Sequence, residues 1–220
     1  MSADLDGKTV ILTGAFGRLG RILTRTLLEA GATVAAIDAR AADPVVSSNR
    51  LHLFKADLSS EDAVADVFDR IDEEIGVPDA LVHTVGMWGG TPFADTSLDD
   101  WETMLRVNLT STFLCFREAV RHMKTGRLVG IASKQGADHG VAEQAAYSAS
   151  KAGVVRLVEA VADEYDGRIT AAAVAPSAIL FGSDGEGVPS ERIAELCAML
   201  CSDEGAEHNG TVVRAYGTLA

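Results

Sequence analysis

Basic side chains, aromatic rings and cysteines are all scarce in this chain, and each scarcity closes off a class of function. Lysine and arginine together number 19 against 32 aspartates and glutamates, and only five of the 220 residues are lysine. The formal net charge of −13 leaves no surplus of cations to neutralise phosphates, so neither nucleic acid nor an anionic membrane surface is expected as a partner. Aromatic residues make up 5% against 47% hydrophobic residues. A core of that make-up is built from Ala, Val, Leu and Ile, which suits buried parallel strands covered by helices. The three cysteines, Cys115, Cys197 and Cys201, are odd in number and fit a reducing cytoplasm rather than a disulfide framework. Cys197 and Cys201 stand four apart on an expected helix; buried apolar thiols are the expected reading, with no metal. No apolar run is long enough to span a bilayer, and Met1–Asp6 carries no apolar targeting stretch.

What the chain does have is a steady alternation of strand and helix patterns. β-Branched runs predict strands at Lys8–Thr13, Thr33–Asp38, Leu51–Ala56, Ala80–Val85, Arg127–Ala132, Ile169–Ala175 and Thr211–Ala215. Between them, helices are expected at Leu19–Ala30, from the capping pattern Ser59–Asp62 to about Ile75, from Ser97–Asp100 to about Lys124, over Glu143–Tyr165, and from Pro189 and Ser190 to about Cys201. Strands alternating with helices predict an α/β fold with a mainly parallel seven-stranded sheet and helices on both faces.

Two constellations carry chemistry. The turn Thr13-Gly-Ala-Phe-Gly-Arg-Leu-Gly20 lies between the first strand and first helix. Glycines there let the backbone approach a pyrophosphate, and the helix N-terminus attracts the anion. Asp38 ends the second strand about 20 residues further on, where a carboxylate can accept hydrogen bonds from ribose hydroxyls. It would repel a 2′-phosphate, so NAD(H) is favoured; Arg18 and Arg40 keep NADP(H) open. The second constellation is Tyr147-Ser-Ala-Ser-Lys151, which places a phenol and an ammonium on one helical face. A nearby cation favours the phenolate, whose ordinary pKa is about 10, and such a pair can pass a proton to or from a carbonyl or alcohol oxygen.

In order and spacing, these motifs resemble the short-chain dehydrogenase/reductase family over almost the whole chain. The loop Gly14, Phe16, Gly17, Arg18, Leu19 and Gly20 resembles the family's glycine-rich cofactor turn. Asp57 and Leu58 match the pair that meets the adenine, and His83-Thr84-Val85-Gly86 stands where the family has Asn-Asn-Ala-Gly. Asn108 matches a helix asparagine, Ser133 the catalytic serine, and Tyr147 and Lys151 the catalytic tyrosine and lysine. Pro176, Ser177 and Ile179 stand in the segment beside the nicotinamide. The resemblance implies a three-layer, doubly wound Rossmann-type fold, with one NAD(P)-binding domain over residues 1–220. It also implies that Ser133 holds the substrate oxygen, Tyr147 moves the proton, Lys151 lowers the tyrosine's pKa and binds the nicotinamide ribose, and Asn108 helps hold a relay water. Relatives pair through the helices expected at Ser97–Lys124 and Glu143–Tyr165, so a homodimer or homotetramer is expected. The valines at 154, 155, 158 and 161 are consistent with more than one buried face.

Departures from the family pattern shape the expectations. Arg18 takes a glycine's place, so its side chain must turn away from the pyrophosphate or clasp it. His83 is expected as a hydrogen-bonded structural histidine, with a proton-transfer role as the alternative. Leu180 and Phe181 stand where a threonine is usual, and the connection to the last helix is too short for the usual pair of covering helices. The Gly-rich stretch 182–188 is expected to be mobile, and the site open, or closed by a partner or by this loop. Trp88 and His139 are candidate substrate contacts, with loop packing and a solvated loop as their alternatives. The expected activity is NAD(H)-dependent interconversion of a small-molecule alcohol and ketone. The alternatives are a lyase or isomerase using the same site without net redox, and a silent cofactor-binding regulator.

Overall fold

The computed structural model describes residues 3–40, 44, 46–165, 167–182 and 185–217. Strands β1 (Thr9–Thr13), β2 (Thr33–Asp38), β3 (Leu51–Lys55), β4 (Ala80–His83), β5 (Gly126–Ile131) and β6 (Ile169–Pro176) join a last strand, β9 (Val212–Ala215). They form one seven-stranded sheet in the order β3-β2-β1-β4-β5-β6-β9. Every pairing in it is parallel. Helices α1 (Arg18–Glu29) and α7 (Ser190–Cys201) cover one face; α2 (Glu61–Glu74), α4 (Ser111–His122) and α6 (Ala145–Glu164) cover the other.

The period of two along each strand decides which side chain enters which layer. In β1, Ile11 packs toward α2, α4 and α6, whereas Val10 and Leu12 face α1 and α7. In β6, Ala171, Ala173 and Ala175 face one way and Ala172 and Val174 the other, and all eight of its residues are buried. Val154, Val155 and Val158 belong to this intramolecular core, with Val161 packed against it. They therefore mark no second buried face on α6. The exposed apolar side chain on the neighbouring helix is Phe113, beside Leu109 and Leu157.

Strand boundaries match the expected ones within a residue or two, and the helices differ at three informative places. Ser60, not Ser59, caps α2 by accepting the Ala63 N–H, because Ser59 is drawn to Asp57 by two hydrogen bonds. The expected helix from Ser97 is split. Helix α3 (Leu98–Leu105) passes through a π-helical turn at Arg106–Thr110 before α4 begins. The wider turn directs the fully buried Asn108 inward; π-turns of this kind recur at functional sites. A short helix, α5 (Lys134–Ala137), follows β5 unannounced by periodicity and is capped by Ser133, whose hydroxyl accepts the Gly136 N–H. Gly136 permits the close packing of α5 on α6, since a Cβ there would overlap the backbone of Lys151.

Between β6 and α7 lies a two-stranded parallel ribbon, β7 (Ile179–Leu180) with β8 (Val188–Pro189). Of the stretch expected to be mobile, Ser183 and Asp184 lie outside the described residues. Val188 is buried in the ribbon, held by its N–H to the Ala178 carbonyl.

Candidate functional site

Strand order reverses between β1 and β4, and the crevice outside the carboxyl ends of those strands is where a parallel sheet of this kind binds ligands. Two cavities meet there, sharing Gly14, Gly17, Thr84 and Gly86. One, of about 300 Å³, runs to Asp38, Arg40, Asp57 and Leu58; the other, of about 640 Å³, runs to Ser133, Tyr147 and Lys151.

The smaller cavity is built on β1 and β2. Gly14 turns the chain at φ +66°, a conformation that strains any side-chain-bearing residue. Asp38, almost fully buried at the end of β2, accepts the Phe16 N–H through Oδ2 and fixes the loop from below. Its Oδ1 accepts the Arg40 N–H and, at 3.3 Å, the Arg40 Nε. Arg40 is therefore paired with the carboxylate. Asp57 turns Oδ1 to the Ser59 N–H and hydroxyl, which hold its carboxyl below the usual range. Val85 lines this cavity; so do Val107 and Ser111, which no motif had marked.

Arg18 opens α1 next to Gly17, but its side chain leaves the loop and lays its guanidinium over the Phe181 ring, 4.0 Å from the centroid. Both residues line the larger cavity, so Arg18 stands away from the Asp38 end, where a ribose 2′-group would sit.

In the larger cavity Ser133 follows the end of β5 as the cap of α5, and α6 brings Tyr147 and Lys151 to the same cavity. Burial raises the Tyr147 pKa, and a hydrogen bond from Ser133 opposes the rise without cancelling it. The buried Lys151 ammonium donates to the Ile131 carbonyl at 2.7 Å, and loss of solvent pulls its pKa down to about 8. The expectation that Lys151 lowers the tyrosine's pKa is not met here. Burial dominates at Tyr147, and the ammonium is directed to the end of β5.

Asn108 lines neither cavity. Its Oδ1 accepts the Met87 N–H at 2.7 Å, and its Nδ2 donates to the Met87 carbonyl and to Ser150 Oγ, each at 3.0 Å. Ser150 in turn donates to the Tyr147 carbonyl. The side chain thus ties the exit of β4 to the turn of α6 that carries Tyr147.

His83 sits beneath the site with both nitrogens engaged, Nδ1 at 3.0 Å from Thr13 Oγ1 and Nε2 at 3.1 Å from Ser111 Oγ. Ser111 donates its own proton to the Val107 carbonyl, so it accepts from His83 Nε2–H, and Nδ1 accepts from Thr13. Burial, with the Lys151 charge in second place, lowers the His83 pKa to about 3 and keeps the ring neutral. The structural reading of His83 fits this geometry; a proton-transfer role does not.

Leu19, Gly20, Trp88, Pro176, Ser177 and Ile179 all line the larger cavity. Trp88 is 66% exposed, which places it at the rim rather than under a loop. His139 is exposed on the turn after α5 and does not line the cavity. Gln135 does, and was missed; the only signal for it was the capped turn Ser133-Lys-Gln-Gly136.

Comparisons with known proteins agree with this architecture. A family profile described as short chain dehydrogenase matches residues 8–186. A short-chain type dehydrogenase/reductase from Picea abies is 32% identical over 251 residues, covering 97% of this chain and 92% of the relative. An uncharacterised oxidoreductase of Schizosaccharomyces pombe is 32% identical over 165 residues, which span 73% of this chain and 62% of that protein. The ligand-free aldohexose dehydrogenase of Thermoplasma acidophilum superposes with a TM-score of 0.86 at 23% identity, over 100% of this chain and 96% of that one, and shares its fold. The chain belongs to the short-chain dehydrogenase/reductase family of oxidoreductases.

Proposed function

We propose that the protein transfers hydride between NAD(H) and a small alcohol/ketone pair. The observation that carries this reading is the convergence of Ser133, Tyr147 and Lys151 on one cavity, continuous with a second that ends in a buried carboxylate. A bound nicotinamide would give hydride in ketone reduction and take it in alcohol oxidation; the protein's residues align it and move the proton. Ser133 Oγ holds the substrate oxygen, and Tyr147 protonates that oxygen in ketone reduction or takes its proton in alcohol oxidation. Because burial holds Tyr147 protonated, reduction starts from the state the structure presents. Lys151 would hold a ribose hydroxyl, and Asn108 acts as a positioning residue. Both Asp38 and its pairing with Arg40 favour NAD(H): a 2′-phosphate would meet the carboxylate and break an existing ion pair. Met87, Trp88, Ala178 and Ile179 give the substrate end largely apolar walls, which suits a neutral substrate with an apolar body.

Titration with NADH and NADPH, followed by nicotinamide fluorescence, tests the cofactor assignment. NADH is expected to bind at least ~10-fold tighter. Tighter NADPH binding would mean that Arg40 overrides Asp38. Binding of neither would sink the redox reading. The reading includes residence in the cytoplasm and pairing of two copies across the face bearing Phe113, Leu109 and Leu157. A monomeric mass by light scattering would overturn the pairing.

A further inference from the structure

Two departures from the family pattern, remote in sequence, touch each other in the fold. Arg18 stands at the first position of α1, immediately after the glycine turn. Phe181 follows β7 on the far wall of the same 640 Å³ cavity. The guanidinium lies 4.0 Å from the ring centroid, within the range of a cation–π contact. The contact therefore joins the two walls of the cleft.

Both partners stand on fixed supports. Ser177 donates its N–H to the Ala215 carbonyl and its hydroxyl to the Tyr216 carbonyl. Val188 N–H to Ala178 O then closes the ribbon at the base of Phe181. On the other side, α1 begins after Gly17, whose backbone is extended, and Gly17, Arg18, Leu19 and Gly20 line the cleft, where the free N–H groups of a helix start would attract an anionic pyrophosphate. A guanidinium bridging from that turn to the opposite wall passes over such an anion, with positive charge toward it and an aromatic face behind.

We propose that Arg18 and Phe181 form a clasp across the cofactor cleft that slows release of the bound dinucleotide, in a chain whose β6–α7 connection carries only a short ribbon. The clasp rests on the reading of the two cavities as a dinucleotide site. Arg18 acts here as a retention contact for the pyrophosphate half, and Phe181 acts through Arg18 as a positioning residue.

The test is the dissociation rate of NADH from the purified full chain, measured by stopped-flow displacement, for wild type, Arg18→Ala, Phe181→Leu, Phe181→Tyr and the double variant Arg18→Ala/Phe181→Leu. Removing the ring is expected to speed release about three- to tenfold, the range of a partly exposed cation–π contact. Arg18→Ala should cost at least as much, Phe181→Tyr should restore the wild-type rate, and the double variant should release NADH no faster than Arg18→Ala alone. Unchanged release from Phe181→Leu beside fast release from Arg18→Ala would overturn the clasp, leaving Arg18 a plain phosphate counter-charge. Additive effects in the double variant, or slower release from any variant, would overturn it too. If wild type binds neither NADH nor NADPH, the dinucleotide reading fails together with the clasp; NADH binding with an inert Phe181 defeats the clasp alone.

Discussion

Two buried polar networks lie side by side at the carboxyl edge of the sheet, built from similar residue types and put to opposite uses. In the first, Thr84 N–H donates to Thr13 Oγ1, Thr13 to His83, His83 to Ser111, and Ser111 to the Val107 carbonyl. Its donors and acceptors are spent on one another, so it fixes β1, β4 and the π-turn relative to each other. In the second, the side chains of Ser133 and Tyr147 and the Lys151 ammonium border a cavity. A histidine is the residue most readily taken for a proton carrier, yet here it belongs to the closed network. Saturation, more than residue type, separates the polar group that locks a fold from the one that meets a substrate.

The largest effect should come from opening the reactive network further. Ser133→Ala is expected to lower kcat/KM about 100-fold, since in the proposed mechanism its hydroxyl holds the reacting oxygen. Stability should fall by only about 1 kcal/mol, for the lost α5 cap. If urea unfolding showed a larger loss than the kinetics, the two networks would not differ as described.

His83→Leu should show the reverse: about 2 kcal/mol of stability lost, with turnover per folded molecule changed by less than about tenfold. The sign with pH follows from linkage. The folded-state value of about 3 lies below the ordinary 6.5, so the unfolded chain takes up the proton first. The His83 contribution is fully present above pH 6.5 and is lost as pH falls toward 3. Equilibrium unfolding from pH 7 to 4 should decline less steeply in His83→Leu than in wild type; equal slopes would remove His83 from the closed network.

A smaller effect sharpens the comparison at Lys151. Its folded pKa of about 8 lies below the ordinary 10.5, so between these values the unfolded chain holds a proton that the folded one has lost. Wild-type stability should therefore rise relative to Lys151→Met by about 1 kcal/mol from pH 8 to 9. No difference in pH slope would mean that the ammonium is better solvated than its burial indicates.

Much of this was legible before the fold was seen, because the strands are β-branched runs and the glycine turn, Asp38 and the Tyr147–Lys151 pair each have a local spacing. The remainder depends on contacts that no spacing encodes. Nothing in Val107–Thr110 departs from a helical pattern, so the π-turn that buries Asn108 stayed hidden, and with it the asparagine's hold on Met87 and Ser150. Apolar content likewise does not say whether Val154, Val155 and Val158 meet their own sheet or another copy; the fold places them in the chain's own core. Arg18 was visible as an oddity in the glycine turn, but its partner Phe181 lies at the other end of the chain. Glu143, at φ +63°, cannot begin a helix as its sequence context suggested, and α6 starts at Ala145.

The central claim is that the cavity at Tyr147 performs proton transfer coupled to hydride transfer. Its most direct test gives NAD and a panel of neutral secondary alcohols to wild type and to Tyr147→Phe, following NADH formation by absorbance alongside NADH binding by fluorescence. The account predicts NADH formation by wild type, a loss of at least ~100-fold in Tyr147→Phe, and unchanged NADH affinity. Turnover that survives in Tyr147→Phe with NADH still bound would contradict it.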